Sequence, residues 1–226
     1  MKHNFEKTYL QSHNYFFDEI IQKKRVNMLI LIKEFLKSKS IEDILDVGTT
    51  EDEKNLSSNF IIKNLGNYKK YKSISDQYIN SNFFSAKLNK SITKDFTTSE
   101  IEEYKSDLVI SNATIEHVGN FENQIKMCEN ILKLSKKYFI IITPNRYHPI
   151  EFHTKLPLLH WLPKKIHRNI LSILGMNFLS KEENLNLLCN DDLLRIMKKL
   201  NHSSFEVKKI NFLFFKSNLL LFGKII

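Results

Sequence analysis

The 226-residue chain is poor in the residues that break or staple a fold, with five glycines, four prolines and two cysteines. So little glycine and proline argues against a loop-rich chain and for long regular elements with few tight turns. Cys128 and Cys189 make no disulfide framework, and neither has a CxxC partner. A reducing compartment fits, with both thiols acting as small core hydrophobes. No stretch reaches the ~18 uninterrupted apolar residues of a spanning helix. The nearest run, Met28 to Ile32, is stopped by Lys33 and Glu34. Met1-Lys2-His3-Asn4-Phe5-Glu6 lacks the apolar core of a signal peptide, so a cytoplasmic protein is expected, at most seated on a membrane surface.

What is present is ordinary globular material. Hydrophobic residues at 42% and charged ones at 26% argue against disorder, and 17 Phe with 8 Tyr promise an aromatic-rich core. The length fits one domain over 1–226 with room for a sizeable core. A net charge of +9 points to a partner carrying negative charge, such as phosphate, nucleic acid or an anionic membrane. The lysines are scattered, however, and most such charges are simply solvated.

Two stretches organise the rest: Ile44-Leu45-Asp46-Val47-Gly48-Thr49-Thr50 and Ser106-Asp107-Leu108-Val109-Ile110-Ser111-Asn112-Ala113. Each is a short apolar run ending in small or polar residues, the pattern of a strand buried on both faces of a parallel sheet. Before the first, residues 14–38 carry Phe17, Ile20, Ile21, Met28, Leu31, Ile32 and Phe35 at helical spacing, part of an N-terminal helical extension over 1–40. A helix is expected over 53–65, ended by Gly66-Asn67. Weak strands follow at 71–75 and 91–94, then a helix at 122–134 and a buried strand at 138–143. The alternation predicts βαβ units and a doubly wound α/β sheet. Residues 145–189 break that rhythm, which marks a functional insertion or lid. A helix over 191–200 with Asn190 as N-cap comes next. Two apolar runs, 205–215 and 219–226, joined by Lys216-Ser217-Asn218, predict a C-terminal antiparallel pair.

Ligands of such sheets bind beyond the carboxyl ends of the strands. Asp76, just past the second strand, is placed to accept hydrogen bonds from a ribose diol. A pyrophosphate would want G-x-G-x-x-G after the first strand. Gly48 is instead followed by Thr49-Thr50-Glu51-Asp52-Glu53, with no second glycine and three carboxylates. That loop repels pyrophosphate and tolerates a cofactor with a sulfonium and an ammonium, so its electrostatics favour S-adenosylmethionine over NAD.

The sequence resembles the class I S-adenosylmethionine-dependent methyltransferases from about Ile44 to the C-terminus. The carriers are Leu45-Asp46-Val47-Gly48, Asp76, Asp95-Phe96 and, most specific, Asp107 to His117. Pro144 to His153 resembles type 11-like members associated with surface-glycan biosynthesis. The resemblance implies a Rossmann-like seven-stranded sheet with an antiparallel C-terminal strand. It implies S-adenosylmethionine as cofactor, held by Asp46, Gly48, Thr49, Asp76, Asp95, Phe96, Asn112 and Ala113. It also implies methyl transfer to a small-molecule or glycan-type acceptor, phosphate- or lipid-linked. The departure is the glycine motif, because Thr50 and Asp52 stand where later glycines belong.

Methyl transfer asks mainly that nucleophile, methyl carbon and sulfur be held in line in a dry pocket. A hydroxyl nucleophile also gains ~10²–10⁴-fold from a base within hydrogen-bond reach. The candidates are His153 and His148 first, then His117 and Glu151. His148-x-x-Glu151-x-His153 matches no common zinc spacing, so no metal is expected. Lys155 to Arg168 mixes basic and bulky apolar residues, as suits a membrane surface or a lipid-linked substrate, or else an inward-packed lid. Two rival functions stand beside this one. The charge motivates an RNA methyltransferase, and the degraded glycine loop motivates a binding protein that kept the fold without catalysis.

Overall fold

The computed structural model describes residues 15–52, 58–212 and 214–225, with side chains described from residue 22 onward except that of Phe212. One helix, α1 (Tyr15–Leu36), precedes β1 (Asp43–Val47), a short α2 (Phe60–Asn64), β2 (Lys70–Ser75) and β3 (Ala86–Asn89). There follow α3 (Thr98–Tyr104), β4 (Ser106–Asn112), α4 (Phe121–Leu134) and β5 (Ser135–Pro144). The insertion carries α5 (Lys164–Ile173), and α6 (Asn190–Lys199) leads to β6 (Phe205–Phe212) and β7 (Phe215–Lys224).

The seven strands form one sheet in the order β3-β2-β1-β4-β5-β7-β6. Strands β1 to β5 pair in parallel, and β7 runs antiparallel to both β5 and β6. This is the expected doubly wound α/β architecture. Alternating side chains feed two cores. Ile44, Leu108, Ile110, Ile140 and Ile142 face α1 and α2, while Leu45, Val47, Val109 and Ile141 face α4 and α6. That period of two within fully buried strands is why β1, β4 and β5 read as unbroken apolar runs. Chain progression reverses between the neighbours β1 and β4, the switch point where such sheets hold ligands.

Four boundaries differ from the sequence reading. Residues 91–94 form a turn closed by Lys94 N donating to Ser91 O at 3.1 Å, and the edge strand lies earlier, at 86–89. An edge strand packs only one row, here Ala86 and Leu88, and so carries little apolar signal. The hairpin turns between Phe212 and Phe215 rather than at Lys216-Ser217-Asn218. Ser217 and Asn218 are buried within β7, where Ser217 O accepts from Asn145 N at 2.8 Å. The N-cap of α6 is Cys189, one residue before the expected Asn190, and its amide donates to Asp192 Oδ2 at 3.0 Å. Within the expected 53–65 helix, residues 60–64 are helical, and 53–57 lie outside the described residues. So do residues 1–14 of the N-terminal extension and the side chains of Phe17, Ile20 and Ile21. No helix among the described residues is long and apolar enough to cross a membrane.

Candidate active site

The β1 end turns sharply at Gly48, where φ is +88°. A Cβ there would lie 2.0 Å from Thr114 Oγ1, so only glycine lets the β1 and β4 ends meet so closely. Gly48 N donates to Ile74 O at 2.9 Å, and Ser111 Oγ donates to Val47 O at 2.9 Å. Asp46 is buried beneath this bend. Thr49 Oγ1 donates to its Oδ2 at 2.5 Å, and Ser73 Oγ donates to Thr49 Oγ1 at 2.8 Å. Ser75 Oγ donates to Thr49 O at 2.7 Å. Burial raises the Asp46 carboxyl to about 6 against the opposing pull of the Thr49 hydroxyl. Asp46 and Thr49 thus set the shape of the bend from within.

Around the bend the lip is open and acidic. Thr50, Glu51, Asp76 and Ala113 are exposed, and Glu51 N donates to Gln77 Oε1 at 3.0 Å. Ala113 takes φ +54°, a left-handed conformation unusual for a side chain and common beside ligands. Asn112 is half-buried at the β4 terminus. Asp95 is exposed and pairs with Lys126 of α4 at 2.8 Å, while Phe96 packs partly against the core with Lys90 Nζ 4.9 Å from its ring centre. The expected adenine edge is therefore occupied on one side by α4.

Beyond β4 the chain forms a 3-10 turn, Ile115–His117, and there the structure gathers what the sequence scatters. Glu116 is wholly buried, and Thr143 Oγ1 at the β5 end donates to its Oε2 at 2.9 Å. Its Oε1 is buried without a hydrogen-bond partner. His117 Nδ1 lies 2.6 Å from Asn184 O, so that nitrogen carries the proton, and Nε2 lies 4.0 Å from Glu116 Oε1. The His153 ring meets that of His117 edge to face, with centroids 4.9 Å apart. His153 Nδ1 lies 2.6 Å from Glu151 Oε1, and the His153 and Thr154 amides donate to the same carboxylate.

Burial acts first on every group of this cluster. It raises Glu116 and lowers His117 to about 4. For the Glu151–His153 pair the mutual attraction wins, holding Glu151 at about 2 and keeping His153 above its ordinary value despite burial. Three of the four base candidates, His117, Glu151 and His153, thus meet at one place. The sequence reading passed over their fourth companion, Glu116. Its signals were its place in the Asp107–His117 motif and its adjacency to His117.

His148 stands apart. Its ring stacks on Phe152, and its carbonyl accepts from His160 Nε2 at 2.6 Å and Trp161 Nε1 at 3.3 Å. Lys24 of α1 places Nζ 3.8 Å from the Phe152 ring centre, seating that helix against the insertion. A cavity of about 200 Å³ opens at His153 and Thr154, walled by residues 175–179. The basic-apolar stretch does not pack wholly inward. Trp161 and Leu162 are exposed, as are Ile166 and Ile173 on α5, while Leu171 is buried in a small core of the insertion with Leu179, Leu185 and Leu187.

Asn186 joins the insertion to the sheet, and no sequence pattern flagged it. Its amide donates to Glu116 O at 2.7 Å, and its Nδ2 donates to Gly119 O at 2.8 Å. Its Oδ1 accepts from Lys164 Nζ at 2.6 Å, and its carbonyl accepts from Gln124 Nε2 at 2.8 Å.

No protein-family model matches the chain, and neither does any curated protein. Solved structures do. Magnesium protoporphyrin IX methyltransferase from Synechocystis PCC 6803, with SAH bound, superposes with TM-score 0.56 at 12% identity, covering 98% of this chain and 93% of that one. N-methyltransferase NodS from Bradyrhizobium japonicum WM9, in complex with S-adenosyl-L-homocysteine, gives TM-score 0.56 at 10% identity and covers 97% and 95%. The fold is the methyltransferase fold. A third structure, 1,6-didemethyltoxoflavin-N1-methyltransferase from Burkholderia thailandensis, holds both its acceptor and S-adenosylhomocysteine. It gives TM-score 0.56 at 8% identity, covering 98% and 85%. Within this fold the bend at Gly48 and the β4 end lie at the crevice between β1 and β4, and the Glu116 cluster follows directly on it.

Proposed function

We propose that the protein is an S-adenosylmethionine-dependent methyltransferase acting on a small-molecule acceptor. One observation carries this reading: the sharp glycine bend at the sheet's switch point, Gly48, is shaped by buried Asp46 and bordered by exposed carboxylates, with no lysine or arginine among residues 48–52, 75–77 and 112–114. A pyrophosphate would be repelled there, whereas a sulfonium and an ammonium are attracted. Neighbours of the same fold hold S-adenosylhomocysteine.

Asp76 would take the ribose diol, and Asn112 with Ala113 would border the cofactor along β4. Asp95 and Phe96 would meet the adenine. The cofactor supplies a methyl group already activated by its sulfonium. The chain's part is to exclude water, align the acceptor and manage its proton. Residues 145–189 would form the acceptor side, with His117, Glu151 and His153 at its floor and His148 bracing its wall. At about 200 Å³, the cavity at His153 is below the roughly 300 Å³ of sites that enclose a drug-sized ligand, so it takes one end of an acceptor or a small one. A glycan-type acceptor on a lipid or phosphate carrier is supported by exposed Trp161, Leu162, Ile166 and Ile173 with exposed Lys165, a surface suited to an anionic membrane. The whole chain, 1–226, would work as one methyltransferase domain in the cytoplasm.

Calorimetry with S-adenosylmethionine tests the cofactor, and absence of binding at millimolar concentration would refute the reading. Labelled cofactor incubated with cell extract tests the acceptor. Label is expected in a small or lipid-extractable product, and label in RNA alone would refute that choice. His153→Ala is expected to lose turnover while retaining cofactor affinity, and unchanged turnover would remove His153 from the chemistry.

A further inference from the structure

A carboxylate with no water around it needs a partner for each oxygen, or a cation. Glu116 has a partner for one only: Thr143 Oγ1 donates to Oε2, while Oε1 is fully buried and unbonded. Among the described residues, two imidazoles stand close to this carboxylate. One ligand atom each from Glu116, His117 and His153 falls within 4.8 Å of the other two. We propose that these three side chains bind a divalent transition-metal ion.

The orientation of the rings supports the assignment. Metal-bound histidines characteristically donate their other ring nitrogen to a carboxylate or a carbonyl, which fixes the tautomer and the aim of the ring. Both arrangements occur here. His117 Nδ1–H is held by Asn184 O at 2.6 Å, and His153 Nδ1 is held by Glu151 Oε1 at 2.6 Å. Coordination through the two Nε2 atoms keeps both contacts. Glu116 is oriented in the same way by Thr143. Each of the three proposed ligands thus has its own outer partner.

The ligand set also chooses the class of ion. Two imidazoles and one carboxylate suit zinc, cobalt, iron or manganese, whereas magnesium and calcium prefer oxygen ligands throughout. An ion with bonds of about 2.0–2.1 Å sets tetrahedral ligands roughly 3.4 Å apart, so the 4.0 Å between His117 Nε2 and Glu116 Oε1 needs only a small inward rotation. Three protein ligands leave a fourth position open, as in catalytic rather than structural sites. His153 belongs both to the cluster and to the wall of the 200 Å³ cavity, which sets the cluster beside that cavity. Where the methyl-transfer reading holds, on which this role rests, the cation would anchor an acceptor oxygen and make its hydroxyl more acidic.

The spacing His148-x-x-Glu151-x-His153 concealed this site because its ligands come from two segments. The turn after β4 provides Glu116 and His117, the insertion provides His153, and Glu151 stands behind as the orienting group.

The test is a titration of chelator-stripped full-length protein with cobalt, followed by optical absorption, with zinc competition by calorimetry. One saturable site per chain is expected, with the intense visible bands of low-coordinate cobalt. Glu116→Gln keeps the shape and the Thr143 contact, and it and His153→Ala are each expected to abolish binding. Glu151→Gln should weaken it roughly 10–100-fold, as outer-sphere changes do. His167→Ala, outside the cluster, should bind as wild type, and melting curves of all variants check folding. Absence of saturable cobalt and zinc binding would overturn the proposal, as would unchanged affinity in folded Glu116→Gln. Displacement of cobalt by equimolar magnesium would overturn the class of ion. Cofactor calorimetry separates the two readings: cofactor without metal refutes this site alone, and metal without cofactor refutes methyl transfer alone.

Discussion

Asp46 shows how a single buried group ties stability to function. Its carboxyl has its ordinary value in the unfolded chain and stands at about 6 in the folded one, so between those values the folded state binds more protons. Stability therefore falls as pH rises from about 4 through 6 and then levels, with the charged form costing on the order of 3 kcal/mol at neutral pH. The carboxylate is retained because it anchors Thr49, and through Thr49 the hydroxyls of Ser73 and Ser75, in the form the bend requires. Asp46→Asn keeps an acceptor for Thr49 and removes the charge. Urea denaturation at pH 4, 5, 6 and 7 should show the variant gaining on the wild type across that window. Parallel stability profiles would show that the shift is not there. Asp46 and Gly48 were legible as residues because both belong to one short motif. The close approach of Thr114 to Gly48 was not, because it joins two strands about 65 positions apart.

Among elements, the antiparallel pairing of β7 with β5 joins the C-terminal hairpin to the parallel strands. Gly223 stands opposite Phe139, and a Cβ at Gly223 would fall 2.0 Å from that ring. Phe139 fills the place of the missing side chain and is wholly buried. Gly223→Ala must push the ring or the strand aside, at a cost of about 1–3 kcal/mol for overpacking. Adding Phe139→Leu should recover part of that loss, read as the denaturation midpoint of the double variant against each single one. Equal stability of Gly223→Ala and wild type would show that the strands yield freely there. The pattern of two apolar runs announced this pair. The place of its turn was hidden because Ser217 and Asn218 look like loop residues until partners from other strands satisfy them. Strand β3 escaped for the opposite reason, having one neighbour and too little apolar content to announce itself.

On the scale of the whole molecule, the question is how 145–189 is held to the sheet. Asn186 makes five hydrogen bonds that reach Glu116, Gly119, Gln124, Lys164 and Arg168. Asn186→Ala removes the three side-chain bonds and leaves the buried Gly119 carbonyl without that partner, a loss of roughly 1–3 kcal/mol. The expected result is local. Hydrogen exchange should quicken in 153–156 and 175–187 and in the Glu116 turn, while β1, β4 and β5 stay protected and turnover falls. Uniform exchange across the chain would show that insertion and sheet open as one unit.

The sequence alone determined the buried centre of the sheet, β1, β4 and β5. Strands buried on both faces cannot alternate with polar residues, so their apolar runs mark them wherever they lie. The glycine bend and the acidic loop after β1 were readable for the same local reason. Only the tertiary structure decided the chemistry of the Glu116 cluster. Glu116 and His117 sit beside β4, His153 some 35 residues later in an insertion without a repeating pattern, and Asn184 and Asn186 later still. Spacing along the chain carries no record of contacts that form only when β4, β5 and the insertion close on a common point. An unbonded carboxylate oxygen close to two oriented imidazoles exists in three dimensions alone.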